Sequence, residues 1–277
     1  MAWCAFGRLA GAQVAGVGVD PHMVVLTTSR PAGEITVLNP HATRAEFSVD
    51  LRFGFATTDS AGQLRVELSD GPDSSSAAGW ISAYPRRFML RAGATRTVRL
   101  LAHAPDSLID GEYWARITVH ARDAMSVPLL GDSTESGAIA RIAMETATVL
   151  PAFYRKGAVS TGVTIGSAEA IASDNSIDVR ATLTRNGNAA FLGRALVIVR
   201  DSAGKTIATV DRQIAVYKTM RPRWRAVVPG GSSLRGAVVE LRLSTDRHDV
   251  PRNVLIQAAP VSTTIPIIEE AQIPQQL

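Results

Sequence analysis

The sequence predicts an all-β protein built as two immunoglobulin-like β-sandwich domains in tandem. Apolar and polar residues alternate with a period of two in both halves of the chain, and turn residues separate the alternating runs. No stretch shows the apolar stripe of an amphipathic helix. The length of 277 residues suggests two domains, since a domain takes about 150 residues on average.

The first half contains the clearest strand of the chain. It begins at Ala45 and places six apolar side chains on one face, with polar residues between most of them. Shorter strands are predicted over residues 21–26, 34–38 and 64–68, and the composition of residues 70–79 indicates a polar loop. This pattern is typical of a sandwich with one sheet face buried.

The stretch from residue 80 to residue 121 predicts three further strands. Asp110 and Gly111 form a turn that opens the last of them, and Tyr113 follows at its start. A tyrosine at this place fits the tyrosine corner of immunoglobulin-like domains, although an ordinary buried tyrosine of another sandwich fits equally well. A loop over residues 125–137 and a long final strand over residues 138–150 complete the first half.

The second half predicts a second sandwich without a recognisable motif. Its strands are expected over residues 177–183, 196–200, 206–217, 226–228, 237–243 and 254–267. The predicted organisation is therefore a leader at 1–19, a first domain at 20–156, a second at 157–268 and a frayed tail at 269–277.

The N-terminal residues suggest export. Ala10 and Ala12 suit cleavage by a signal peptidase, which would leave Gln13 first, while a cytosolic leader is the alternative. The single cysteine, Cys4, would be lost with the leader, and a chain without cysteine fits a periplasmic or otherwise extracytoplasmic location. No apolar run is long enough to span a bilayer.

Composition argues against nucleic-acid binding and against catalysis. The net charge is +4, and the basic residues are scattered arginines without interleaved aromatic residues. The five histidines lie far apart, no cysteine pair exists, and no nucleotide-binding or nucleophile motif occurs. Asp246, His248 and Asp249 are close in sequence, but they precede a proline and fit a solvated loop. No catalytic residue, metal or cofactor is therefore predicted.

Several short motifs follow one another in a fixed order: Pro85, Leu90 and Gly93, then Val98-Arg99, and finally the aromatic-basic triplet 153–155 at the domain junction. In this order they resemble the first domain of the PapD-like periplasmic pilus chaperones. The resemblance covers about residues 20–156. It implies an immunoglobulin-like fold and extracytoplasmic protein clients, such as pilus subunits, bound by addition of a client strand to a sheet edge.

The same resemblance implies where a client would bind. In the family an arginine on the first strand and a lysine near the end of the last strand hold the client's terminal carboxylate. The lysine falls on Pro151 here, and the arginine falls on Met23 or, with another gap, on Arg30. If a client carboxylate is bound, Arg30 or Arg155 must supply the charge; bracing of the domain junction is the alternative role for Arg155.

The long final strand supplies the remaining candidate residues. In the family it lends alternating apolar side chains to the client, and Ile142 and Met144 occupy such positions, with Thr146 as the third. The alternative places both in the protein's own core. The predicted function is a chaperone-type protein that binds polypeptides by strand addition. The alternative is a structural or adhesive module of the cell envelope that never releases a client.

Overall fold

The computed structural model describes residues 17–123, 127–128, 141–142, 145–231 and 233–269. Within these ranges the chain forms strands and turns but no helix, so nothing in them could cross a membrane as a helical span. The strands form two sandwiches in tandem, each with a separate apolar core. The all-β prediction with two sandwich domains is confirmed.

The first sandwich consists of two sheets that face each other. One sheet has the order β1–β3–β8–β6, and the other has the order β2–β12–β9–β4–β5, with β7 also paired to β4. Its strands are β1 (Gly18–Asp20), β2 (Val24–Thr27), β3 (Ala32–Leu38), β4 (Ala45–Thr58), β5 (Leu64–Ser69), β6 (Ile81–Tyr84), β7 (Arg87–Leu90), β8 (Thr95–Ala102), β9 (Gly111–Asp123) and β12 (Glu145–Lys156). Two short strands, β10 (Val127–Pro128) and β11 (Arg141–Ile142), pair with each other and, among the described residues, with no other strand.

Alternation decides which side chains fill this core. Phe47 and Val49 on β4 and Ile117 and Val119 on β9 are fully buried, while their neighbours along each strand face outward. The hydroxyl of Tyr113 donates a hydrogen bond to the carbonyl of Ile109 at 2.9 Å. This bond back to the preceding turn is the contact that defines a tyrosine corner.

The second sandwich follows immediately and has its own core. Its strand order is β16–β15–β19–β20–β13–β14–β17, with β18 paired to β14. The strands are β13 (Thr161–Ser173), β14 (Ser176–Gly187), β15 (Phe191–Arg200), β16 (Thr206–Val216), β17 (Thr219–Met220), β18 (Arg223–Val227), β19 (Val238–Ser244) and β20 (Val261–Glu269). The last strand joins two halves of this sheet, because it pairs antiparallel with β19 and then parallel with β13.

The structure corrects several strand predictions. The strand predicted over 21–26 is confined to β2, with the separate strand β1 before it, and the predicted loop 125–137 contains β10. The strand predicted over 138–150 contains β11, and its later part belongs to β12, which continues to Lys156. Residues 254–260 are not a strand, and β13 is missed by the sequence pattern. Gly, Ala and Ser are frequent in β13, and such small side chains leave no readable alternation.

Candidate functional site

The last strand of the first sandwich, β12, has two halves with different surroundings. Both halves pair with β9 along one edge. Along the other edge, Ala152–Arg155 pairs in parallel with β2, which begins at Val24. In the described part of the chain, no strand pairs with the outer edge of residues 145–151. We call this segment the open edge.

The hydrogen bonds of β9 show which groups of the open edge face outward. Trp114 donates its main-chain N–H to the carbonyl of Ser75, on the side away from β12. Main-chain groups alternate in direction along a strand. The N–H and C=O groups of even-numbered residues of β9 therefore point away from β12, and those of odd-numbered residues point toward it. Ile117 is opposite Leu150, so the even-numbered residues of β12 are those bonded to β9. The N–H and C=O groups of Ala147 and Val149 therefore point outward. Pro151 fits this assignment, since its missing N–H would face the edge.

One side chain of the open edge, that of Thr148, is hydrogen-bonded to Val17, which precedes β1 of the opposite sheet. The Thr148 hydroxyl accepts a hydrogen bond from the N–H of Val17 at 3.2 Å and donates one to its carbonyl at 2.8 Å. Thr146, one step further along, has a buried hydroxyl with no hydrogen-bond partner among the described residues. On the outer face Val149 remains 41% exposed. The open edge thus offers main-chain groups and a partly apolar surface.

The other half of β12 enters the joint between the two sandwiches. Phe53, Trp114 and Phe153 of the first sandwich pack with Leu192 and Tyr217 of the second, and all five are buried. Tyr217 stacks on Phe153 with 6.1 Å between ring centroids and meets Trp114 edge-on at 4.9 Å. Burial of each such ring contributes roughly 1.5–3 kcal/mol, so the joint is an apolar core in its own right.

A buried carboxylate lies at the centre of this joint. The side chain of Glu112 is fully buried, and it accepts hydrogen bonds from Trp114 Nε1 at 3.1 Å, from the N–H of Ala190 at 3.0 Å and from Arg155 Nε at 2.8 Å. Arg155 also donates to the carbonyl of Val254 at 2.7 Å. A buried charge is tolerated when it is paired and hydrogen-bonded in this way. Glu112 and Arg155 thereby connect both sandwiches.

Cationic side chains surround the aromatic rings of the joint. The Arg116 guanidinium lies 5.1 Å from the Tyr217 ring centre, and the Arg185 guanidinium lies 5.6 Å from that of Trp114. Burial lowers the pKa of Arg185 and raises the pKa of Tyr217, because it disfavours the charged form of each. The raised pKa keeps the Tyr217 hydroxyl neutral near neutrality, and a guanidinium stays protonated in proteins. The cations stabilise the joint through cation–π contacts.

A second contact joins the sandwiches at the tip of the β4–β5 hairpin. The carbonyl of Gly62 accepts the N–H of Arg223 at 2.9 Å, and Thr58 Oγ1 accepts the N–H of Arg221 at 3.0 Å. Gly62 has φ +79°, and a Cβ there would lie 2.7 Å from the Cβ of Arg223. Glycine is required both by the left-handed backbone and by this close approach.

A salt bridge adds to the joint at another place. Lys218 Nζ lies 2.8 Å from Asp73 Oδ2 and 4.7 Å from the ring centre of Phe55. Burial opposes the ionisation of Asp73, but hydrogen bonds from Lys218 and Ser75 outweigh it and lower the pKa of Asp73. The bridge is therefore formed over the whole neutral range.

The predicted site residues fall in three different places. Arg155 lies in the joint, with its side chain 12% exposed, and its contacts are those of a residue that holds the two sandwiches together. Arg30 is exposed in the turn after β2, where its main chain exchanges two hydrogen bonds with Thr27. Thr27 pairs with Arg155 in the parallel ladder between β2 and β12. Arg30 comes three residues after Thr27 in the chain.

The two predicted donor residues precede the open edge. Ile142 is the Cα partner of Val127 in the β10–β11 pair, and its side chain lies outside what the structure describes. Met144 lies outside the described residues. Their role as side chains lent to a client remains a prediction.

The sequence places the triplet 153–155 at the domain junction, but it does not identify the other residues of the joint. Glu112 is an isolated carboxylate on an alternating strand, and Tyr217 ends a strand in the other half of the chain. The one indication in the sequence is the aromatic Trp114 between Glu112 and Arg116 on the outer face of β9; in the structure all three are buried. A sheet whose two faces both bury side chains must be covered on both sides. Among the described residues there is no cluster of metal-ligating side chains.

Comparison with known proteins gives similarity in structure only. No family model matches the chain, and no curated protein sequence matches it. It is similar to the YadV chaperone, with 15% identity, a TM-score of 0.45, and coverage of 88% of this chain and 99% of that one. It is also similar to the CsuC–CsuE chaperone–tip adhesion subunit complex from Csu pili of Acinetobacter baumannii, with 13% identity, a TM-score of 0.43, and coverage of 92% and 100%.

A third similar structure is the SafA pilin in complex with the SafB chaperone of Salmonella enterica. The identity is 14%, the TM-score is 0.42, and the similarity covers 92% of this chain and 98% of that chain.

Proposed function

We propose that this protein is an extracytoplasmic chaperone-type protein that binds extended segments of other polypeptides by adding a strand to the open edge of β12. Envelope or pilus subunits are the expected clients, as the motif resemblance of residues 20–156 implies. The observation that carries the proposal is that no strand of the described residues pairs with the outer edge of residues 145–151.

An open edge of this kind can bind an extended segment of another polypeptide. Unpaired main-chain groups at a sheet edge act as a template for another strand, and most proteins protect such edges. Ala147 and Val149 direct their N–H and C=O groups outward, and neither carries a charge that would repel a strand. A client strand would gain main-chain hydrogen bonds there, and its alternate side chains would set the register.

The joint supports the same proposal by fixing the surroundings of the edge. β12 runs from the open edge directly into the buried cluster around Glu112 and Phe153. The buried contacts of this cluster hold the second sandwich against the end of β12, and a preorganised binding surface lowers the ordering cost of binding. Arg30 and Arg155 lie at the joint end of the strand and are the candidate cations for a client carboxylate.

The proposal is tested by removing one outward N–H. Val149→Pro deletes a donor of the open edge while leaving the bonds to β9 in place, and Val149→Thr keeps the donor as a matched control. The parent protein is isolated from its native host with bound proteins, which are identified by mass spectrometry. The binary complex is then rebuilt with the most abundant partner and measured by hydrogen exchange.

We expect the partner to protect the amides of Ala147 and Val149, and we expect Val149→Pro to abolish binding while Val149→Thr retains it. Undiminished binding by Val149→Pro would refute strand addition at this edge. A complex that never exchanges its partner for a competing client would favour the structural module over the chaperone.

A further inference from the structure

A second unpaired strand edge lies on the first sandwich, far along the chain from β12. The strand β5 pairs only with β4, and no strand of the described residues pairs with its other edge. This edge carries two large exposed apolar side chains, Leu64 at 53% and Val66 at 47% exposure, where the open edge of β12 carries one, Val149. Long exposed edges with apolar residues usually pair with another strand.

The hairpin bonds identify the groups that face outward from β5. Asp59 donates its N–H to the carbonyl of Gln63 at 3.0 Å, so odd-numbered residues of this hairpin are those that bond across it. The even-numbered residues of β5 therefore direct their main-chain groups away from β4. These residues are Leu64, Val66 and Leu68.

We infer that β5 is a self-pairing surface, which binds the β5 strand of a second copy of this chain in antiparallel orientation about a two-fold axis at Val66. This inference is independent of the proposed function and of the open edge of β12. In this register each Val66 lies opposite the other, and each Leu64 lies opposite Leu68 of the second copy. The outward groups of these residues form about six main-chain hydrogen bonds between the two strands.

The charges of the strand fit this register. Arg65 of each copy lies opposite Glu67 of the other, so the pairing creates two opposite-charge pairs. These positions do not exchange main-chain hydrogen bonds, and side chains approach most closely at such positions. In the single chain Arg65 and Glu67 are already 3.8 Å apart and both are about half exposed. No reorganisation is needed for the four charges to alternate.

A six-residue strand pair is smaller than the interface of a permanent dimer. The expected dimer is therefore weak and dependent on concentration. It is measured by sedimentation velocity from low micromolar to millimolar protein, and every variant is also tested by thermal melting. Arg65→Glu or Glu67→Arg alone turns both attractive pairs into repulsive ones, so each should weaken dimerisation by about tenfold or more.

Charge exchange provides the decisive control. The double variant Arg65→Glu with Glu67→Arg restores opposite charges and should dimerise like the parent. An equimolar mixture of the two single variants should form mixed dimers more strongly than either alone. Arg96→Glu, an exposed charge reversal on the opposite sheet, should have no effect. A parent that stays monomeric at millimolar concentration, or a dimer that ignores the charges of β5 and disappears with Val149→Pro, would overturn the inference.

Discussion

The two halves of β12, residues 145–151 and 152–156, differ in how completely the rest of the protein surrounds them. Residues 152–156 have neighbours on every side: β2 and β9 in the sheet, the first core beneath Ala152 and Tyr154, and the second sandwich above Phe153. Residues 145–151 have an open edge and one hydroxyl bridge to Val17. Residues 145–151 are suited to binding because one edge of their main chain has no partner strand among the described residues, whereas residues 152–156 are suited to stability because they are enclosed on both edges and both faces.

The largest effect should follow from removing the carboxylate of the joint. Glu112→Ala leaves the guanidinium of Arg155 and the N–H groups of Trp114 and Ala190 without their acceptor. We expect a loss of about 3–5 kcal/mol in the free energy of unfolding, measured by urea denaturation. Glu112→Gln keeps acceptors but removes the charge, and it should cost less. Equal free energies of unfolding for Glu112→Ala and the parent would show that this carboxylate does not stabilise the joint.

Arg155→Ala should have the next largest effect and decides between its two interpretations. The substitution leaves Glu112 as a buried charge without its ion pair, so we expect a loss of about 2–4 kcal/mol, measured by denaturation. Client binding is measured beside it. A loss of binding with unchanged melting would instead assign Arg155 to a client carboxylate. Arg155→Lys keeps the charge and tests whether the two-point contact with Glu112 and Val254 matters.

The hairpin contact gives a smaller effect with a matched control. Gly62→Ala adds a Cβ that meets Arg223 in the second sandwich, whereas Gly204→Ala adds one with nothing within 4 Å. Both glycines have φ near +80°, so both variants pay the same backbone strain of roughly 1 kcal/mol. We expect Gly62→Ala to lose about 1–2 kcal/mol more of the free energy of unfolding than Gly204→Ala. This difference measures how much the contact between the hairpin and the second sandwich contributes to stability. Equal melting temperatures of the two variants would show that the hairpin does not stabilise the joint.

The smallest effect on stability should come from the open edge. Val149→Pro removes an N–H that has no partner strand, so the free energy of unfolding should change by less than about 1 kcal/mol. Thr148→Val removes the hydroxyl bridge to Val17 and should cost about 1–2 kcal/mol. If Val149→Pro lowered the free energy of unfolding as much as Glu112→Ala does, the N–H of Val149 would have a partner within the protein, and the edge would not be open.

Local sequence pattern was sufficient for the first sandwich and much of the second. The alternation from Ala45 onward predicts β4, and the turn before Tyr113 predicts β9. The sequence left a tyrosine corner and an ordinary buried tyrosine as equal alternatives, and the hydrogen bond from Tyr113 to Ile109 decides for the corner. The two strands are readable because a half-buried strand fixes the period of its own residues. The strand β13 was missed, since its small residues carry no such alternation.

The sequence by itself determined the fold class, the turns and the inward faces of the strands, because these depend on residues close together in the chain. Only the tertiary structure decided which edges remain open and which polar groups are buried. Glu112 meets Ala190 across 78 residues, and Val17 meets Thr148 across 131. Such pairings depend on how two complete sandwiches pack, and no local period of apolar residues records them.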